Sequence, residues 1–177
     1  AAGSTDGSGA TATFNRPRAL AIDANYIYVG ENIGCRVRRV ARLDNAVTTL
    51  AGNGTCAITD AITGLTSSFG QINSMVMTYN GGTGSDIFVG DHYTVRFVSK
   101  TTGQVTTLAN GPDIYGYVDG TGASVTRFSG IFGIATDGAN RLYISDYGNH
   151  VFRTGLASTP MTVSTFGGST SGYQDGS

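Results

Sequence analysis

Apolar and polar positions change places along this chain in short bursts of about four to six residues, without the three-and-four spacing of an amphipathic helix. The clearest stretch runs from Phe128 to Arg153. After Phe128 comes the burst Gly133 to Asp137. A turn leads to Leu142, Tyr143 and Ile144, which Ser145 and Asp146 close, and a loop rich in Asn and Gly opens onto His150, Val151, Phe152 and Arg153. β-Branched and aromatic residues bounded by turn formers predict short, half-buried strands. The same order of residues occurs twice more upstream, so the chain reads as a repeat array.

The repeat has a period of about 55 to 60 residues. Each unit opens on a turn: Asp6 to Ala10, a degenerate Thr59 to Ala61, and Asp119 to Ala123. One aromatic follows, at Phe14, Phe69 and Phe128. First strands are predicted at Ala19 to Asp23, Ser74 to Met77 and Gly133 to Asp137. Second strands are predicted at Tyr26 to Val29, Asp86 to Val89 and Leu142 to Ile144, after turns at Asn25, Asn80 to Gly84 and Gly138 to Asn140. An acid closes each second strand: Glu31, Asp91 and Asp146. Third strands are predicted at Cys35 to Val40, Val95 to Val98 and His150 to Arg153, and fourth strands at Val47 to Gly52, Val105 to Ala109 and Met161 to Gly167. Four strands joined by short turns make an antiparallel meander. At Tyr173 to Gly176 a further opening turn begins. Because the chain starts without Met and ends inside a motif, we expect a segment of a longer parent.

Composition agrees with an all-β chain. Among 177 residues there are 27 Gly and 3 Pro, with Lys100 the sole lysine and Glu31 the sole glutamate, so strong helix formers are scarce. Charged residues make up 13% and the net charge is −1, which gives no global field for a polyanion. No run approaches the roughly 18 apolar residues of a membrane span.

The order Asp Gly x Gly, Phe, Gly Ile Ala x Asp, Asn His, Val x Arg and Val Thr Thr Leu Ala Gly resembles NHL repeats, the blade units of six-bladed β-propellers. The resemblance covers the whole chain and implies three four-stranded antiparallel blades, half of a ring. Blade 1 spans about residues 1–56, blade 2 about 57–115 and blade 3 about 116–171, with residues 172–177 starting the next repeat. The second unit lacks the Gly of its opening turn and carries His92 in a loop, which predicts an altered blade edge. Three blades leave two terminal faces uncovered, and propellers close with about four to eight. The partners expected are therefore further blades of the parent chain, or a second copy.

Cys35 opens a third strand and Cys56 follows the end of the fourth. These strands are expected to be antiparallel neighbours, so the two sulfurs fall at one end of a blade. A disulfide closing a loop of about 20 residues would contribute about 3 kcal/mol and would imply a secretory compartment. Two packed free thiols are the alternative. Asn53-Gly54-Thr55 is a glycosylation sequon in an expected exposed loop.

No cofactor and no metal are expected. His92 and His150 occupy different repeat positions, and His150 matches the Asn-His pair of the NHL resemblance as a structural residue. The recurring Asp6 and Asp119 are turn formers without the closing Glu of a calcium loop. Glu31, Asp91 and Asp146 recur, as Phe14, Phe69 and Phe128 do, which fits structural roles better than catalytic ones. Arg36, Arg38, Arg39 and Arg42 form the one basic cluster and read as a solvated blade edge; a fragment of an RNA-binding face is the other reading. A metal-dependent lyase or lactonase needs acids or histidines at the starts of the first strands, and those places read Arg16 to Arg18, Gln71 to Ser74 and Ser129 to Phe132. The expected role is that of a non-catalytic structural or interaction module of a larger extracellular or cell-surface protein, with a filament or matrix as one possible setting.

Overall fold

A computed structural model of the chain describes residues 2–78, 86–112, 114–169 and 171–172. The turn expected at Asn80 to Gly84 and the opening expected at Tyr173 to Gly176 lie outside the described residues. Among the described residues the architecture is all-β: three antiparallel sheets, with no closed barrel.

The first sheet runs β1 (Pro17–Ile22), β2 (Tyr26–Glu31), β3 (Arg36–Ala41) and β4 (Val47–Ala51) in sequence order. The second runs β5 (Ile72–Met77), β6 (Ile87–Asp91), β7 (Thr94–Val98) and β8 (Val105–Ala109). In the third, β10 (Ile131–Thr136), β11 (Arg141–Asp146), β12 (Val151–Leu156) and β13 (Thr162–Gly167) follow the same order, and a two-residue strand β9 (Gly120–Thr121) adds to the outer edge of β13. The second strands end two residues past the sequence expectation, because ladder bonds continue beyond the last apolar residue into Glu31, Asp91 and Asp146, whereas β4 and β13 are each one residue shorter than expected.

β9 is the visible form of a general feature. In the first unit Gly7 bridges Val47, and in the second Ala61 bridges Val105, each with two backbone hydrogen bonds. Every opening turn thus lies along the outer strand of its own sheet and occupies an edge that would otherwise present unpaired backbone groups. The altered edge expected for the second unit is not found, because a backbone bridge does not depend on which side chain its residue carries and Ala61 makes it as Gly7 does. The second unit departs elsewhere. Its β6–β7 connection is only His92 and Tyr93, against four residues in the other sheets, and His92 takes a left-handed φ of 58° to close it.

The sheets pack face to face in chain order, β1 beside β5 and β5 beside β10. Ala19, Ala21, Tyr28 and Val37 of the first sheet meet Phe69, Ile72, Met75 and Val89. Phe88 and Val95 of the second meet Ile131, Ile134, Leu142 and Ile144 of the third. Gly30 and Gly90 are required here: a Cβ on Gly90 would stand 2.7 Å from Ile131 Cγ2 and 3.3 Å from Ile134 Cδ1. Polar ties cross both junctions. Asn32 donates to the Ile72 carbonyl at 3.3 Å and Asn73 donates to the Ile131 carbonyl at 3.0 Å.

Candidate functional site

Each sheet carries a buried arginine on its third strand: Arg38, Arg96 and Arg153, all fully buried. Arg38 donates through Nη1 to Glu31 Oε1 at 3.3 Å and the Thr13 carbonyl at 3.1 Å, and through Nη2 to Asp6 Oδ1 at 2.7 Å and the Thr5 carbonyl at 3.0 Å. Arg96 repeats this with Asp91 at 3.1 Å, Ser68, Asp60 at 2.9 Å and Thr59. Arg153 repeats it with Asp146 at 2.9 Å, Arg127, Asp119 and Val118. Each guanidinium also faces the recurring ring, at 5.3 Å from Phe14, 5.3 Å from Phe69 and 5.0 Å from Phe128. A charge this deep requires paired carboxylates and hydrogen-bond acceptors, and here it has two acids, two carbonyls and a π face, although the Nε of Arg38 and that of Arg96 have no acceptor among the described residues.

The acids at the ends of the second strands fix the entry to their own sheet. Glu31 accepts the Asn15 amide, Asp91 the Gly70 and Gln71 amides, and Asp146 the Ser129 amide. Burial pushes the Asp91 carboxyl up, against the opposing pull of Arg96 and those amides. The opening aspartates reach the fourth strands instead. Asp6 accepts both the amide and the hydroxyl of Thr49, Asp60 those of Thr107, and Asp119 those of Thr165. Burial raises the Asp6 and Asp119 carboxyls, but these threonine bonds and the arginine outweigh it and leave both lowered.

The solvated-edge reading of the arginine cluster is therefore corrected for Arg38, whose charge lies between two carboxylates. Arg36 caps the Gly34 and Asn53 carbonyls, Arg39 lies over Tyr26 and Arg42 holds the Asp23 and Ala24 carbonyls. Sequence reasoning passed over Arg38, Arg96 and Arg153 as a set. The signal was their recurrence at one strand position, facing the acid of the neighbouring strand.

Cys35 and Cys56 are joined in a disulfide with a sequence separation of 21. Cys56 also bridges Phe69, so the bond ties the first sheet to the entry of the second. Asn53 is exposed, and its side-chain oxygen accepts the Thr55 amide at 2.7 Å. Cys35 and His150 hold matching left-handed positions before their third strands, with φ of 52° and 57°. The polar tie in the His150 loop comes from Asn149, which donates to Asp146 and to the Gly116 carbonyl. Among the described residues no three His, Cys, Asp or Glu side chains gather as a metal site, and no helix is long and apolar enough to cross a membrane.

Bulges at the starts of the first strands place Arg18, Asn73 and Phe132 at one end of the inner edge. There Arg18 stacks over the Phe132 ring at 5.1 Å, so the first and third sheets meet across the second.

Among the described residues two sheet faces have no neighbour. On the first sheet, Leu20 and Ile22 are 67% and 60% exposed. They stand in the repeat positions of Ile134 and Thr136, which in the third sheet turn toward the second. On the third sheet, Tyr143 and Phe166 pack edge to face at 5.4 Å beside Phe152, with Phe152 59% and Phe166 65% exposed. Phe152 stands in the repeat position of Val37 and Val95, which are fully buried.

No family model matches the chain, and no curated protein matches it. Solved structures do. An auxiliary nutrient binding protein from Bacteroides ovatus superposes with a TM-score of 0.64 at 23% identity, over 81% of this chain and 35% of that one. A structural genomics protein of unknown function from Bacteroides thetaiotaomicron gives a TM-score of 0.62 at 20% identity, over 78% of this chain and 32% of that one. An auxiliary nutrient binding protein from Bacteroides thetaiotaomicron gives 0.56 at 18% identity, over 84% and 35%. The chain spans about a third of the length of these structures. At this identity the likeness shows the fold alone, an all-β, propeller-like array of antiparallel sheets.

Proposed function

We propose that this chain is an NHL-type propeller segment that serves as a non-catalytic structural or interaction module of a larger extracellular or cell-surface protein. The observation that carries this reading is the pair of uncovered faces. The face of each sheet that bears Tyr28 or Phe88 packs on the opposite face of the next sheet, so the Phe152 face is built to receive a sheet and the Leu20 face to be received. Contiguous apolar faces of this kind mark interaction surfaces. Their occupants in this reading are further sheets of the parent chain, which would complete the ring. The Cys35–Cys56 disulfide suits an oxidising compartment, and the nutrient-binding role named for two of the solved neighbours is compatible with a binding module at the cell surface.

A non-catalytic role is supported by the recurrence of the acidic residues. Glu31, Asp91 and Asp146 are each spent on an arginine and a backbone amide, and a group fixed identically in three units serves the frame.

The test is sedimentation velocity and ANS binding on the 177-residue chain, with Leu20→Glu and Phe152→Glu beside it. The reading expects a chain that binds ANS or self-associates through its end faces, and both substitutions suppress this. A species of twice the 18.2 kDa chain mass would transfer the covering role to a second copy. A stable monomer that binds no ANS and is indifferent to both changes would overturn the reading.

A further inference from the structure

Among the described residues the two sheet junctions differ at one end, and there the second junction is hollow. At the first junction the Tyr28 hydroxyl donates to Asp23 at 3.1 Å, and Lys100 reaches across from the second sheet to the same carboxylate at 3.2 Å. These groups plug the space between the sheets. At the second junction Phe88 stands in the place of Tyr28 and has no hydroxyl, while Ala157 stands in the place of Lys100 and has nothing to reach with. A cavity of about 470 Å³ results, within the range of small-molecule sites.

Its lining has a definite chemistry. Phe88 and Phe97, edge to face at 5.8 Å, form an apolar wall. Around them stand Gln104, Asn140, Ser158 and Asp86. Asp86 is held by the Lys100 amide at 3.3 Å, and burial raises its carboxyl. Among the described residues no lysine, arginine or histidine lines the space, so none of them would compensate a phosphate or carboxylate ligand. Carboxamides and a carboxyl that accept and donate to hydroxyls, beside an aromatic wall that takes C–H groups, match a pyranose ring.

We infer that this cavity between the second and third sheets binds a neutral monosaccharide unit, through Asp86, Gln104 and Asn140 with Phe88 and Phe97 behind it. The inference rests on the lining and the missing plug, and stands apart from whatever covers the end faces.

The repeat itself supplies the test. Ala157→Lys puts at the second junction the side chain that stands at this repeat position in the first, with Thr78 in the place of its partner Asp23, and so introduces a long side chain into the cavity. The measurement is saturation-transfer difference NMR on the full chain with the methyl glycosides of glucose, galactose, mannose and xylose, and with N-acetylglucosamine, each as a separate probe. At least one probe is expected to receive saturation from the wild-type protein and to lose it in A157K, with unchanged circular dichroism. Should A157K unfold, Asn140→Ala, on an exposed turn, decides instead: it is expected to bind the same probe up to about tenfold more weakly, the value of one neutral hydrogen bond. Absence of transfer from all five probes in the wild type overturns the inference. So does transfer that survives A157K, or full affinity in N140A.

Discussion

The guanidinium of Arg96 lies 3.1 Å from Asp91 and 5.3 Å above the ring of Phe69, fully buried in the middle of the second sheet. Asp91 is itself fully buried, so removing the arginine alone leaves an unpaired carboxylate in the core. Arg96→Met is expected to destabilise the chain by about 3–5 kcal/mol, the cost of breaking one partner from a buried pair. The double change Arg96→Met with Asp91→Leu should recover part of that loss. Urea unfolding of the two variants checks both expectations, and equal loss in each would show that the lone carboxylate is not the cause.

The opening aspartates set the response to acid. Asp6 and Asp119 have lowered values in the folded chain, so each contributes stability that is fully present above the ordinary unfolded value of about 4 and is lost as pH falls through the lowered one. Asp91, pushed upward by burial, works in the opposite direction. The urea midpoint should therefore fall as the solution passes below the carboxylate range, and Asp6→Asn should flatten the fall. An unaltered slope in the variant would remove Asp6 from the explanation.

The disulfide acts on the unfolded chain. Closing a loop with a separation of 21 residues is worth about 3 kcal/mol in the chain-entropy account. Cys35→Ser with Cys56→Ser should lose about that much in thermal or urea unfolding, and reduction of the wild type should match it.

Close approach of the sheets depends on Gly90, whose missing side chain leaves room for Ile131. Gly90→Ala is expected to cost about 1–3 kcal/mol through overpacking. In a double-mutant cycle with Ile131→Ala much of that cost should vanish, since the clashing Cγ2 is gone. Additive losses would place the strain elsewhere. Ser145 stands at the equivalent place on the third sheet, on its uncovered face, where no such limit is met.

The strands, their order and the phase of the repeat could be read from the sequence, because alternation and turn residues act over a few positions and are written locally. The recurrence of Phe14, Phe69 and Phe128, and of Glu31, Asp91 and Asp146, was equally open to inspection. So was the nearness of Cys35 to Cys56, which follows once two strands are paired. The fate of Arg38 was not. Beside Arg36, Arg39 and Arg42 it looks like one more solvated charge, and it becomes a core residue only because the opening turn and the neighbouring strand bring Asp6 and Glu31 to either side. The hollow junction was hidden for the same reason. Phe88 and Ala157 are unremarkable alone, and they leave a space only when folding sets them opposite one another where the repeat elsewhere sets Tyr28 and Lys100. Sequence fixes what a segment does with its own neighbours along the chain. Packing decides which charges are dry, which faces are bare and where room remains, since these depend on atoms brought together from distant positions.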